Sequence, residues 1–141
     1  MSEPGVSSTT DIRVRYAETD AMKVVYHGNY LPYFEEARTA LFRSIGLTYS
    51  EIEREGFYLV VLEVHAQYKR SAVYDDVLHV KASLRELPAM RITIHYEITR
   101  NNEPEVLVTG ETVHAFVNAA SGRPIRPPKE YLTVMQRYFP S

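Results

Sequence analysis

An acidic residue and a helix start stand close together near the beginning of this chain. In the run Tyr16-Ala-Glu-Thr-Asp20-Ala-Met-Lys-Val-Val-Tyr26-His27-Gly28-Asn29-Tyr30, Asp20 comes seven positions before a His-Gly-Asn turn that opens a long amphipathic segment. This arrangement suits the cleavage of a polarised carbonyl. A carboxylate there can act as a general base on water or attack the carbonyl directly. Unpaired amides at a helix N-terminus, aided by the macrodipole, stabilise the charge that develops on the carbonyl oxygen. Removing one such donor typically costs about 2.7 to 4 kcal/mol of transition-state stabilisation, enough to support catalysis. Spacing alone also admits a plainer reading, with Asp20 as a turn former or cap and His27 as a capping or packing residue.

The elements that must hold these groups follow from periodicity. Ile12, Val14 and Tyr16 alternate with Asp11, Arg13 and Arg15, the pattern of a half-buried strand over Asp11 to Tyr16. From Asn29 to Ile45, Tyr30, Phe34, Ala37, Leu41 and Ile45 recur at three- and four-residue steps. That spacing predicts a helix about 25 Å long at 1.5 Å per residue. Pro32 must lie in its first turn, because deeper in a helix its ring would clash with the carbonyl four residues back. The helix therefore begins near Gly28 or Asn29, and the amides of His27, Gly28 and Asn29 are expected to lack intrahelical partners. Gly46 suits the position just past the helix end, and Ser50 and Glu53 have capping-box spacing in a short second helix.

After Gly56 the period becomes two. Leu62, Val64, Ala66 and Tyr68 form one apolar set, Leu78, Val80, Ala82 and Leu84 a second, and Ile92, Ile94, Tyr96 and Ile98 a third, with a less regular strand near Val106 to Val117. Alternation of this kind indicates antiparallel strands with one apolar face, and a single long helix is its natural cover. Turns are expected at Tyr74-Asp75-Asp76, Leu87-Pro88-Ala89 and Arg100-Asn101-Asn102-Glu103. The prolines between Gly122 and Pro128 bar regular helix or central strand there, and Glu130 to Tyr138 reads as a short terminal helix.

A length of 141 residues is that of one domain, with residues 1–10 expected as a loose terminus and 11–141 as a single unit. Hydrophobic residues at 45% and charged residues at 24% indicate a folded globular protein. A net charge of −2 without a basic stripe argues against nucleic acid as a partner. The absence of cysteine excludes disulfides, a thiol nucleophile and thiolate metal sites, and fits an intracellular, cytoplasmic protein. Residues 1–10 carry neither a basic nor an apolar signal-peptide region, and Leu59-Val-Val-Leu62, the longest apolar run, is too short for a membrane span. His65, His79 and His95 fall on the polar phase of their strands and are expected to be solvated, whereas the phase of His114 is not assigned. No His-x-x-x-His pair, glycine-rich phosphate loop or Gly-x-Ser-x-Gly elbow occurs, so no metal or cofactor is expected.

Three segments carry a resemblance. Tyr16-Ala-Glu-Thr-Asp20, Val24-Val25-Tyr26-His27-Gly28-Asn29-Tyr30 and Phe34-Glu35-Glu36-Ala37-Arg38 together resemble the signature of hot-dog-fold acyl-CoA thioesterases of the hydroxybenzoyl-CoA thioesterase and YbgC-like branch, with Tyr74-Asp75-Asp76-Val77-Leu78 and the Arg-Pro-Pro tail in support. The resemblance runs from about Asp11 to Tyr131. It implies an α+β hot-dog fold, a five-stranded antiparallel sheet wrapped around one long helix, with a homodimer as the minimal unit, active sites at the dimer interface, and a homotetramer open. By position, Asp20 matches the family's catalytic carboxylate, and His27 the residue whose amide faces the thioester oxygen. Tyr26, Gly28 and Asn29 line the same turn as oxyanion or substrate-binding candidates. Lys69, Arg70 and Arg126, with Arg123, are candidates for the phosphates of coenzyme A, which is here part of the substrate. Lys23 stands where the family often has glycine, and Ser71 where it usually has proline.

The implied activity is hydrolysis of an acyl-CoA, or of an acyl group on acyl carrier protein, to a carboxylic acid and a free thiol. Two rivals remain at this level. One is a hot-dog dehydratase, whose usual histidine and distant acid pattern is not seen here. The other is a non-catalytic module that binds acyl-CoA or acyl carrier protein, for which a buried carboxylate would have no use. Tyr30, Tyr33, Phe34, Phe57 and Tyr58 could line an acyl pocket or simply pack helix against sheet.

Overall fold

The computed structural model describes residues 5–87 and 89–139. The first four residues of the expected loose terminus, and Pro88 of the expected Leu87-Pro88-Ala89 turn, lie outside the described residues. The elements are β1 (Val6–Arg13), α1 (Tyr30–Ser44), α2 (Tyr49–Arg54), β2 (Phe57–Tyr68), β3 (Val77–Leu84), β4 (Ile92–Arg100), β5 (Val108–Asn118) and α3 (Lys129–Gln136), with 3-10 turns at Tyr16–Glu18 and His27–Asn29. The five strands form one antiparallel sheet in the order β1-β3-β4-β5-β2. Its inner face packs on α1, giving the α+β hot-dog architecture.

The inner face follows the apolar phase of the sequence. Leu78, Val80, Ala82 and Leu84 on β3, and Ile92, Ile94, Tyr96 and Ile98 on β4, are buried. They meet Tyr30, Tyr33, Phe34, Ala37, Leu41 and Phe42 of α1 within one core. Full burial of a side chain such as Leu or Phe contributes about 1.5 to 3 kcal/mol. Gly110 on β5 is a requirement of this packing, because a Cβ there would come 2.6 Å from Phe34 Cζ. Any larger residue would lift the helix from the sheet. Beyond Pro127, α3 closes the end of the core with Tyr131 and Met135, the Tyr131 ring lying edge-on to Phe116.

Four local readings need correction. β1 spans Val6–Arg13 rather than Asp11 to Tyr16, and residues 6–10 of the expected loose terminus pair with β3 from Val6↔Leu84 to Thr10↔Val80. Ser7, Ser8, Thr9 and Thr10 give no apolar alternation, so this stretch of the edge strand is held by ladder hydrogen bonds, with Val6 and Ile12 packed against the core at either end. α1 begins at Tyr30 because the residues before it form a 3-10 turn. The cap of α2 is Thr48, whose hydroxyl accepts from Glu51 N at 3.3 Å, and not Ser50. Finally, the apolar set of β2 is largely uncovered, and only Ala66 of it packs against the core. Val64, Ala66 and Tyr68 pair with Thr112, Gly110 and Val108 and share their face of the sheet, but β2 is an edge strand. Leu62, Val64 and Tyr68 are 46%, 41% and 49% exposed. A bulge between Val61 and Glu63 switches the inward phase from Leu59 and Val61 to Val64 and Ala66.

Candidate active site

Asp20 sits at the head of a tight turn. Its amide donates to Val24 O at 2.9 Å, its carbonyl accepts from Lys23 N at 3.0 Å, and its Oδ1 accepts from Met22 N at 2.9 Å. This is an Asx turn, in which the side chain fixes its own loop. Asp20 Oδ2 has no hydrogen-bond partner among the described residues, and the residue is partly exposed. Lys23 closes the turn at φ 69°, in the left-handed region that favours glycine.

The helix start faces a different constraint. Tyr26 is extended at φ −62° and ψ 130°, and the first hydrogen bond of the following 3-10 turn runs from Asn29 N to Tyr26 O at 2.9 Å. The amides of His27 and Gly28 precede that bond, as the position of Pro32 led one to expect, whereas the Asn29 amide is paired and leaves the set of free donors. His27 is exposed, its ring 4.5 Å from Tyr26 and 6.1 Å from Tyr68, and the Tyr68 hydroxyl donates to His27 O at 3.5 Å. Gly28 lets the Tyr26 ring fold over the turn, since a Cβ there would lie 2.7 Å from Tyr26 Cε2.

Both segments are tied to a common frame. Glu18 O accepts from Tyr26 N at 2.9 Å and from Asn29 Nδ2 at 2.8 Å. Val25 N donates to Ala72 O at 2.9 Å, and Val24 bridges to Val73. The loop that receives them is held by Asp76, which accepts from Val73 N, Asn101 Nδ2 and Arg100 Nη1 at 2.9, 3.0 and 3.2 Å. Burial opposes ionisation of Asp76, but these donors outweigh it and hold the carboxyl below the usual carboxylate range. From sequence, Asp75-Asp76 reads as a turn signal and as part of a segment that supports the family resemblance, with no structural role assigned. The anchoring role appears once Arg100 and Asn101, some 25 residues away in the chain, are brought beside it.

The basic candidates separate into two groups. Lys69 and Arg70 follow β2, where both amides donate to Leu107 O, and Arg70 Nε lies 3.4 Å from Glu105 Oε2. Arg126 follows Ile125, whose amide donates to Phe116 O, and Asn118 N donates to Arg123 O. Val108 and Phe116 mark opposite ends of β5, roughly 27 Å apart at strand rise. Within one chain, then, Arg126 and Arg123 do not join Lys69 and Arg70.

His65 is exposed, as expected, but two other histidines depart from expectation. His79 Nδ1 lies 2.7 Å from Asp11 Oδ1 and His95 Nδ1 lies 3.7 Å from Glu111 Oε2, and both side chains are only 20% exposed. His114 is buried on the inner face, its Nε2 2.7 Å from Thr112 Oγ1, which is in turn 2.7 Å from the Tyr96 hydroxyl. Burial, with a smaller contribution from the Arg38 charge, pushes its pKa down to about 4. A concavity of about 690 Å³, lined by residues including His65, Gln67, Arg85, His95 and Glu111, contains no residue of the Tyr16 to Tyr30 run. Among the described residues, no three His, Cys, Asp or Glu side chains are grouped to hold a metal ion, and no helix is long and apolar enough to cross a membrane.

Fold and motif together define a hot-dog thioesterase. Residues 14–135 match the model of the Thioesterase-like superfamily, and the chain belongs to that family, in its YbgC-like part. It is similar to the acyl-CoA thioesterase YbgC of Haemophilus influenzae, 33% identical over 121 residues, which are 84% of this chain and 87% of that protein. Among solved structures it is similar to a DHNA-CoA thioesterase from Staphylococcus aureus, with a TM-score of 0.81 and 34% identity over 95% of this chain and 84% of the other. A hypothetical protein from Thermus thermophilus superposes with a TM-score of 0.86 at 31% identity, covering 93% and 98% of the two chains.

Proposed function

We propose that this protein hydrolyses acyl-CoA thioesters, with Asp20 as general base or nucleophile and the His27 and Gly28 amides as oxyanion donors. The observation that carries this reading is the turn itself. Among the described residues Asp20 keeps one carboxylate oxygen without a partner, while the His27 and Gly28 amides precede the first hydrogen bond of a turn that Tyr26 N and Asn29 Nδ2 tie to Glu18 O in the same loop. In the base route, Asp20 takes a proton from water as the oxygen adds to the thioester carbon. The tetrahedral oxyanion is held by the two amides and collapses to release coenzyme A thiolate and the acid. In the nucleophile route, Asp20 Oδ2 displaces the thiolate to give a mixed anhydride, which water then opens. The His27 ring, exposed beside Tyr26 and Tyr68, is suited to orient that water.

The working unit in this reading is a homodimer. Tyr58, Val61, Leu62, Val64 and Tyr68 leave an apolar edge strand open, a surface that calls for a partner strand. Twofold antiparallel pairing of two β2 strands sets the Phe57 end of one against the Tyr68 end of the other. Arg126 of the second copy then approaches Lys69, Arg70 and His27, so the phosphate site is shared across the interface. Acyl carrier protein as an alternative thiol carrier, and a cytoplasmic setting, belong to the same reading.

Purified protein incubated with short, long, branched and aromatic acyl-CoAs, with free thiol as the readout, tests it. Turnover of at least one substrate is expected. Tight acyl-CoA binding without thiol release would replace it with a binding module, and hydration of crotonyl-CoA with a dehydratase.

A further inference from the structure

Asn29 occupies the N-cap of α1 but does not cap it. An asparagine at this position ordinarily accepts from the amide two or three residues on, yet no side-chain cap bond is made here. Its amide group instead reaches back eleven residues, and Nδ2 donates to Glu18 O at 2.8 Å in a half-buried setting. Only the nitrogen can face a carbonyl, so the orientation of the group is fixed by its partner. Glu18 O also takes Tyr26 N at 2.9 Å, so both lone pairs of this carbonyl are used by the helix start.

The other end of Glu18 is fixed as well. Its Oε1 accepts from Arg15 N at 2.8 Å, and its Oε2 lies 3.5 Å from Arg15 Nη2. The side chain is only 15% exposed. Glu18 is thus gripped at carbonyl and carboxylate, two residues before Asp20 and nine before His27.

We infer that Asn29 and Glu18 are positioning residues that set the placement of the Asp20 turn relative to the His27 and Gly28 amides, and that Asn29 itself does not contact substrate. This rests on the proposed thioester hydrolysis for its kinetic consequence, though not for its structural one. A reacting group displaced by about 1 Å can cost on the order of 100-fold in rate. A clamp of this kind therefore acts on kcat, while the groups that bind substrate, and hence KM, are left in place.

The test compares wild type, Asn29→Ala and Asn29→Asp. Asn29→Asp keeps the shape and sets a carboxylate against the Glu18 carbonyl. Each is measured by thermal melting, by amide hydrogen exchange of the peptides covering residues 16–30, and by steady-state acyl-CoA hydrolysis. Both variants are expected to keep the wild-type fold and to lose exchange protection at Tyr26 and its neighbours. Their kcat should fall about 10- to 100-fold, with KM within threefold. Unchanged protection in both variants would overturn the clamp. Lost protection with wild-type kcat, or a rise in KM alone, would overturn the positioning role. If wild type hydrolyses no acyl-CoA, the functional reading fails, and the exchange data still decide whether Asn29 holds the loop.

Discussion

Phe34 lies flat against Tyr96, their ring centroids 4.3 Å apart and their planes 17° from parallel. The stack joins the second turn of α1 to the middle of β4 and fills the space left by Gly110 on β5. Both rings are essentially removed from solvent, so Phe34→Ala should cost about 3 to 5 kcal/mol. Gly110→Ala should also destabilise, by about 1 to 3 kcal/mol, because the added methyl has nowhere to go. Urea denaturation of both variants checks this, and a Gly110→Ala protein as stable as wild type would contradict the close approach.

Acid should weaken the fold before the carboxylates titrate. His114 has a folded pKa near 4, depressed by burial, against about 6.5 in the unfolded chain. A depressed histidine binds its proton more readily when unfolded, so its neutral form contributes stability in full above pH 6.5 and loses it as the pH falls toward 4. The loss amounts to about 3 kcal/mol across that window. His95, lowered by burial and by Arg85, acts in the same direction. Urea midpoints at pH 7 and pH 5 should differ clearly in wild type and less in His114→Asn. Asp76, also depressed, contributes stability only lost below about pH 4.

The open edge of β2 predicts the oligomer. Val64→Asp should shift light-scattering mass from dimer to monomer and remove most activity, since a charge in the middle of a paired edge blocks association. A Val64→Asp protein that stays dimeric would place the interface elsewhere.

Lys23, at φ 69°, should accept glycine at little cost or with a gain of up to about 1 kcal/mol, whereas Lys23→Val should destabilise by a similar amount or more. Thermal melts of the two variants give opposite or at least unequal shifts if the turn has this geometry.

Much of this arrangement could be read from residue order, and the parts that could not share a cause. β3, β4 and α1 announce themselves because each buries one regular face, as Leu78, Ile94 and Phe34 do. Pro32 located the helix start to within two residues, and Lys23 stands on left-handed backbone of the kind that suits the glycine implied there by the resemblance. β1 escaped because its residues 7–10 are serine and threonine, held by ladder hydrogen bonds that leave no hydropathic trace. The Glu18 and Asn29 contact escaped because it joins a backbone carbonyl to a side chain eleven residues on, which no periodicity records. The separation of Arg126 from Lys69 depends on the length of β5 and on nothing local to either residue.

In the proposed reaction the Asp20 carboxylate performs or initiates thioester cleavage. Asp20→Asn keeps the side-chain oxygen that accepts from Met22 N, so the turn should survive and the melting temperature should change little. Steady-state thiol release from the best acyl-CoA substrate should then fall at least about 100-fold, the lower bound of what a positioned base contributes. Turnover by Asp20→Asn close to that of wild type would exclude Asp20 as the reacting group.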